Sequence, residues 1–246
     1  MEVHHHSHSG HGKKTWKSYF WEFLMLFLAV FCGFLAEYQL EHKIEHDREK
    51  TYIHSMIEDL QKDTSNLRIS LESFKKQENN FDTVLALFPE LTNGYNNTLR
   101  SNLNAIIGYK DFFATDRTLQ QLKSSGNMRL IRNKNAADGI MFYDAKLKEH
   151  EKSLSTLDDI FFKFYELNSQ IQDNLSLDLD KKTMSTEALK GNKNYLLVSD
   201  KATLGLFYNR IKSHRLLRQI VIRRMETLSK SANDLIAILK KEYNIE

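Results

Sequence analysis

The stretch Phe20–Lys50, FWEFLMLFLAVFCGFLAEYQLEHKIEHDREK, passes from dense apolar residues into dense charge with no Gly or Pro turn at the transition. Such a stretch can be a membrane anchor running on into a soluble helix, a secretion signal, or a buried core helix. Its charge-free part, Phe23–Ala36, has 14 residues, short of the ~20 that a bilayer-spanning helix needs. The flanks lengthen it. Trp16, Tyr19, Phe20 and Trp21 precede the run and Tyr38 closes it, a pattern of aromatic anchoring at two interfaces. Tyr19 to Tyr38 is 20 residues, about 30 Å of helix. Glu22 and Glu37 then fall near opposite headgroup regions, where a carboxylate is tolerated.

A cleavage site is disfavoured. Phe34-Leu35-Ala36 places Phe where a small residue is wanted, and Phe31 before Cys32 spoils a lipoprotein-type site. The expectation is therefore an uncleaved single-pass anchor over residues 18–38, with a His-rich tail at 1–17 and a helical bundle domain at 39–246. Lys13, Lys14 and Lys17 on one side are matched in number by Lys43, Arg48 and Lys50 on the other. The first three are opposed only by Glu2, whereas the later three lie among Glu37, Glu41, Glu45, Asp47 and Glu49. That asymmetry points to a cytoplasmic N-terminus and, in a bacterium with two membranes, a periplasmic domain held at the inner membrane.

Composition agrees with helices. Nine Gly and a single Pro in 246 residues leave few breakers, and 41% hydrophobic residues can bury a core. A formal charge of +3 is too small to argue for nucleic acid. The lone Cys32 lies in the apolar run and cannot form an internal disulfide.

Beyond the anchor, Ile53, Ile57, Leu60, Thr64, Leu67, Leu71, Phe74, Glu78, Phe81, Leu85 and Phe88 keep a strict 4,3 spacing that ends at Pro89, which is a heptad seam. A second runs through Ile140, Tyr143, Leu147, His150, Leu154, Leu157, Phe161, Phe164, Asn168, Ile171 and Leu175. A third follows the N-cap signal Ser199-Asp200 and shows Val221, Met225, Leu228, Ala232, Leu235 and Leu239. Three such seams predict an all-α, elongated, left-handed antiparallel bundle of three long helices. Shorter helices are expected in 98–133, one stopping at Ser124-Ser125-Gly126. Residues 173–198 read as a long connection.

Few residues suggest chemistry. His4, His5, His6, His8 and His11 could hold zinc, nickel or copper through neutral imidazoles. Tail histidines without a fixed scaffold bind metals promiscuously, so only adventitious metal is expected and no cofactor. His42 and His46 share a helix face, but Lys43 stands where a zinc-protease helix carries Glu. His150, Asn168 and His214 fall on or near apolar seams and are read as buried polar groups that fix bundle register. Arg215, Arg218, Arg223 and Arg224 are spread around their helix rather than aligned as a nucleic-acid face. Ala29 and Gly33 form a small-xxx-small pair, with Ala36 beside them, which lets another transmembrane helix approach closely.

At KSYFWEFLMLFLAVFCGFLAE (17–37), EYQLEHKIEHDREKTYIHSMIEDLQKDT (37–64) and TLQQLKSSGNMRLIRNK (118–134), the chain resembles a family of uncharacterised His-tailed, single-span helical proteins from Bacteroidota. The resemblance implies an inner-membrane protein and carries no catalytic residues. The expectation is a non-enzymatic accessory subunit docking on an integral membrane assembly, in contact with the lipid bilayer and open to homo-oligomerisation. The alternative is a periplasmic bundle that binds a ligand and signals through a partner. An inverted topology would instead put the bundle in the cytoplasm.

Overall fold

A computed structural model describes residues 15–189 and 195–245, which are helical, with short 3-10 turns at Phe88–Glu90 and Asn127–Leu130 and one isolated antiparallel bridge between Gln172 and Leu196. Eight α-helices follow in order: α1 Trp16–Lys76, α2 Glu78–Leu87, α3 Asn97–Ala105, α4 Arg117–Ser124, α5 Lys134–Ile171, α6 Asn174–Thr183, α7 Thr186–Leu189 and α8 Lys201–Tyr243. The His-tail residues His4, His5, His6, His8 and His11 lie outside the described residues.

The chain divides into two compact units, Met1–Thr51 and Tyr52–Glu246. In the first, α1 carries an 18-residue window of mean hydropathy 2.0, none of it buried. One helix is thus long and apolar enough to cross a membrane, and it is not covered as a core helix would be. Phe23, Phe27 and Phe31 stack along one face at ring-centroid spacings of 6.2 and 5.9 Å. At 100° per residue, Ala29, Gly33 and Ala36 lie roughly 200° away, on the opposite face. A Cβ added to Gly33 would meet no atom within 4 Å.

In the second unit the rest of α1 and α5 run parallel, and α8 runs antiparallel to both. Asp63 of α1 meets Tyr143 of α5. Gly139 faces Leu235, and Phe164 stacks on Phe207. The seams are the core: Ile53, Leu60, Leu67 and Phe74 from α1, Phe81 from α2, Ile140, Leu157 and Phe164 from α5, and Phe207, Met225 and Leu228 from α8 are fully or almost fully buried. Four sequence-local caps start helices: Asn96, Asn133, Asp173 and Asp200 accept from the backbone N–H of Leu99, Ala136, Ser176 and Thr203 respectively. The Asp200 cap is the one expected from sequence. So is the stop of α4, because Gly126 adopts φ +67°, a left-handed conformation that suits Gly just past a helix end.

Three expectations differ in detail. The first seam is not one helix. The Gln77 N–H bonds back to the Phe74 carbonyl at 3.2 Å, a tightened turn that separates α1 from α2 while leaving Phe74 and Phe81 in register. The second seam stops at Ile171, because Gln172 turns extended and Leu175, now in α6, is 73% exposed. The described part of the expected connection, residues 173–189 and 195–198, holds α6 and α7, with Asp173 N–H and Leu197 N–H bonded across the bridge to the Tyr195 and Ile171 carbonyls.

Phe164 packs against Phe207 and His214 at the centre of this core. Phe164→Ala is expected to cost about 3–5 kcal/mol, read as a lowered urea midpoint with unchanged helicity below the transition. A loss under about 1 kcal/mol would show that the second seam does not carry the core.

Candidate functional site

Polar groups enter the bundle interior at three levels. At the first, Asp59 and Asp63 of α1 hold down the segment that leads into α4. Asp63 accepts from the Thr115 N–H at 2.7 Å and from the Tyr143 hydroxyl at 2.7 Å. Asp59 accepts from the Thr118 N–H at 3.1 Å and its hydroxyl at 2.5 Å, and pairs with Arg117. Burial raises Asp63 above the ordinary carboxylate value, and its hydrogen bonds only partly offset this. The same level carries Asp144, which bridges Lys123 of α4 and Lys148 of α5 at 2.8 Å each. These carboxylates are spent on holding a loop and a short helix to the bundle.

At the second level, beside the α1–α2 break, Arg218 is 0% exposed. Its guanidinium lies over the ring of Phe74 at 4.4 Å, with Tyr109 at 5.4 Å and Phe81 at 5.5 Å, a cage that attracts a cation through ring quadrupoles. One nitrogen donates to Gln77 Oε1 at 2.6 Å, and the Gln77 Nε2 donates to the Gly108 carbonyl at 2.9 Å. Burial pulls the arginine down to about 10, with Glu78, Tyr109 and Asp111 pulling it back up, so it keeps its charge at neutral pH. Tyr109 in turn donates to Asp158 of α5. The neighbouring His214 is fully buried among Phe81, Phe161 and Phe164. Desolvation, then Arg218, lowers it to about 3. His150, beside Phe112, is lowered by desolvation to about 4. Both imidazoles are neutral at physiological pH.

The third level is a cleft of about 390 Å³ between α3 and the junction of α5 with α6. Its walls include Leu103 and Leu177, which are almost fully buried, and the polar residues Arg100, Asn104, Asn168 and Gln172. Asn168 and Gln172 are 8% and 6% exposed. The Asn168 Oδ1 and both terminal atoms of Gln172 have no hydrogen-bond partner among the described residues.

The sequence-derived candidates therefore separate. His150, Asn168 and His214 are all buried in the bundle but at different places: His150 beside Phe112, His214 beside Arg218, Asn168 in the cleft. His42 packs edge-on against Tyr38, and His46 lies 3.6 Å from Glu49. Among the described residues no group of three or more His, Cys, Asp or Glu is placed to hold a metal. Arg215 and Arg224 pair with Asp82 at 2.6 Å and Glu149 at 2.5 Å across helices.

Sequence reading missed Gln77, Gln172 and the burial of Arg218. A signal for Arg218 existed. Extending the third seam backward from Val221 by 3 and 4 lands on Arg218, His214, Ile211 and Phe207, all buried.

Removing the acceptor should hurt more than removing the charge. Gln77→Ala is expected to cost about 2–3 kcal/mol, by leaving a buried guanidinium short of a partner. Arg218→Met, which fills similar volume, should cost about 1 kcal/mol or less. Equal or reversed costs in urea unfolding would mean the aromatic cage, not Gln77, sustains the site.

The buried histidines set an acid limit. An unfolded imidazole binds a proton below about 6.5 while the folded ones do not, so their contribution is complete above pH 6.5 and declines as pH falls toward about 4. The loss reaches about 2 kcal/mol per histidine at pH 5. Asp63 and Asp111, held up by burial, oppose it only as pH nears the carboxylate range. His214→Phe is expected to flatten the pH 7-to-5 fall of the urea midpoint. An unchanged slope would place the titration elsewhere.

Searches of family models, of curated proteins and of solved structures with this chain each return no match.

Proposed function

We propose that this protein is a membrane-anchored, non-enzymatic subunit whose apolar helix and bundle dock on a larger assembly of integral membrane proteins, with the bundle on the periplasmic side of the inner membrane. The observation that carries the reading is α1. In the first unit α1 carries an apolar stretch none of which is buried, and in the second unit residues 52–76 of α1 belong to the bundle. An apolar stretch of that length is stable when lipid or protein covers it. Its two faces differ as a docked helix requires. The Phe23, Phe27 and Phe31 ridge suits acyl chains, and the Ala29, Gly33 and Ala36 face allows close approach of another helix.

The bundle supports the same reading. Between α5 and α8 runs a groove of about 590 Å³ lined by Gly139, Phe142, Leu235 and Ile238, in which Phe142 is 56% exposed. An apolar side chain from a partner would seat there. Of the shifted ionisable groups, Arg218, Tyr109, Tyr143 and Asp63 are hydrogen-bonded to neighbouring elements, and His150 and His214 are enclosed by aromatic rings, which suits a scaffold more than a reacting centre.

Purification of the full-length protein from native membranes in mild detergent, through a C-terminal tag, is expected to recover other integral membrane proteins in stoichiometric amount. Phe142→Asp, and separately Gly33→Leu, should each reduce that recovery about tenfold or more. Recovery of the protein alone, as a monomer or small homo-oligomer, would overturn the docking reading. A C-terminal reporter active only in the cytoplasm would overturn the periplasmic placement.

A further inference from the structure

The turn between α2 and α3 carries chemistry that neither the bundle packing nor the docking reading uses. Asn93 is the one Asn in the chain that is followed by Gly. The Gly94 backbone nitrogen and the Asn93 side-chain carbonyl carbon can close a succinimide ring, and Gly brings no Cβ to crowd the attack. Whether a fold permits that step depends on what else engages the nitrogen and the amide.

The turn leaves both available. The Asn93 N–H donates to the Glu90 carbonyl at 2.9 Å, but the Gly94 N–H and the Asn93 side chain make no hydrogen bond among the described residues. Gly94 has φ +119° and lies outside any helix. Asn93 is exposed on an open recess of about 490 Å³ that also borders Glu90, Asn96 and Asn97, so water reaches the ring once it forms. The neighbouring amides are tied. Asn96 Oδ1 accepts from the Leu99 N–H at 3.0 Å and Asn96 Nδ2 donates to Glu90 at 3.0 Å, while Asn97 Oδ1 accepts from the Tyr95 hydroxyl at 2.9 Å. Asp138-Gly139, a pair with related chemistry, lies inside α5, where the helix ladder engages the glycine nitrogen.

We propose that Asn93-Gly94 modifies itself: the Gly94 nitrogen bonds to Asn93 Cγ, the Cγ–Nδ2 bond breaks, and the amide departs with the nitrogen's proton as ammonia. Water then opens the succinimide. Attack at Cγ leaves aspartate in an ordinary backbone. Attack at the Asn93 main-chain carbonyl carbon leaves isoaspartate, whose backbone runs through the former side chain. Water is the only co-reactant, and nothing is oxidised or reduced. Either product places a carboxylate on the recess that Glu90 borders, and isoaspartate also lengthens the backbone between Leu91 and Tyr95. Those two residues are buried in different clusters, Leu91 with Phe81 and Leu103, Tyr95 with Leu177 and Tyr195. The longer chain cannot keep both seated with the same turn, so the rearrangement loosens the join between the clusters. The site is independent of the docking reading, and either can fail without the other.

The test is peptide mapping by mass spectrometry of the full-length protein, incubated in mild detergent at neutral pH over several weeks, with a parallel sample in urea. In the folded protein Asn93 is expected to convert at least about tenfold faster than Asn96 and Asn97. Isoaspartate, detected by enzymatic methylation, should appear at position 93 and not at Asp138. Asn93→Gln lengthens the side chain and disfavours the ring without removing a side-chain contact. It should abolish the isoaspartate and leave the thermal midpoint of the fresh protein unchanged. An Asn93 amide that persists in the folded protein but converts in urea would show that the fold blocks the attack, and would overturn the proposal. Conversion no faster than at Asn96 and Asn97, aspartate without isoaspartate, or isoaspartate that survives Asn93→Gln would each overturn it as well.

Discussion

A guanidinium without access to water must be solvated by the protein around it, and the arrangement of this bundle follows from how Arg218 is solvated. Three aromatic rings face it, and Gln77 supplies the acceptor at 2.6 Å. For Gln77 to reach inward, the helix that carries it tightens by one turn and restarts as α2. The same amide reaches the Gly108 carbonyl, which pins the chain where Tyr109 turns onto Phe74. One buried charge thus connects the first helical segment, the loop after α3, the middle of α5 through Asp158, and α8. Hydrophobic seams alone would let these elements slide. A polar group that has one satisfactory partner selects a single alignment, at some cost in stability.

The parts of the fold that sequence reveals are those written in periodicity. Ile53 to Phe74, Ile140 to Phe164 and Val221 to Leu239 repeat at 4,3 spacing, and most of these positions are buried, with Thr64, Leu71, Leu154 and Phe161 half-buried. The cap at Asp200 and the glycine stop at Gly126 are equally local, because each depends on one side chain and the next three amides. What periodicity does not reveal is where a polar residue replaces an apolar one in the same seam. His214 is read from sequence as a buried polar group, but Arg218 at the neighbouring seam position in α8 carries a charge that, read by itself, signals surface. Their burial depends on Phe74, Phe81 and Gln77, more than 130 residues earlier in the chain.

The cleft was hidden for a related reason. Asn168 is visible as a polar residue on a seam, but nothing near it in sequence says that Arg100 and Leu103 of α3 stand opposite. Gln172 lies just past a helix end, where an exposed amide is the ordinary expectation. It is the bridge to Leu196 that turns that residue inward.

The antiparallel placement of α8 also sets an order of events in the cell. The Arg218 contact to the Phe74 carbonyl joins residues 144 apart, and buried side chains of α8 share one core cluster with those of α1 and α5. A ribosome that has made α1 through α7 has therefore produced two open apolar faces and no third wall. Contacts of such long sequence separation form slowly, and the exposed faces are prone to misassembly until they do. The core of this unit therefore closes only once α8, Lys201–Tyr243, packs against the two helices made before it.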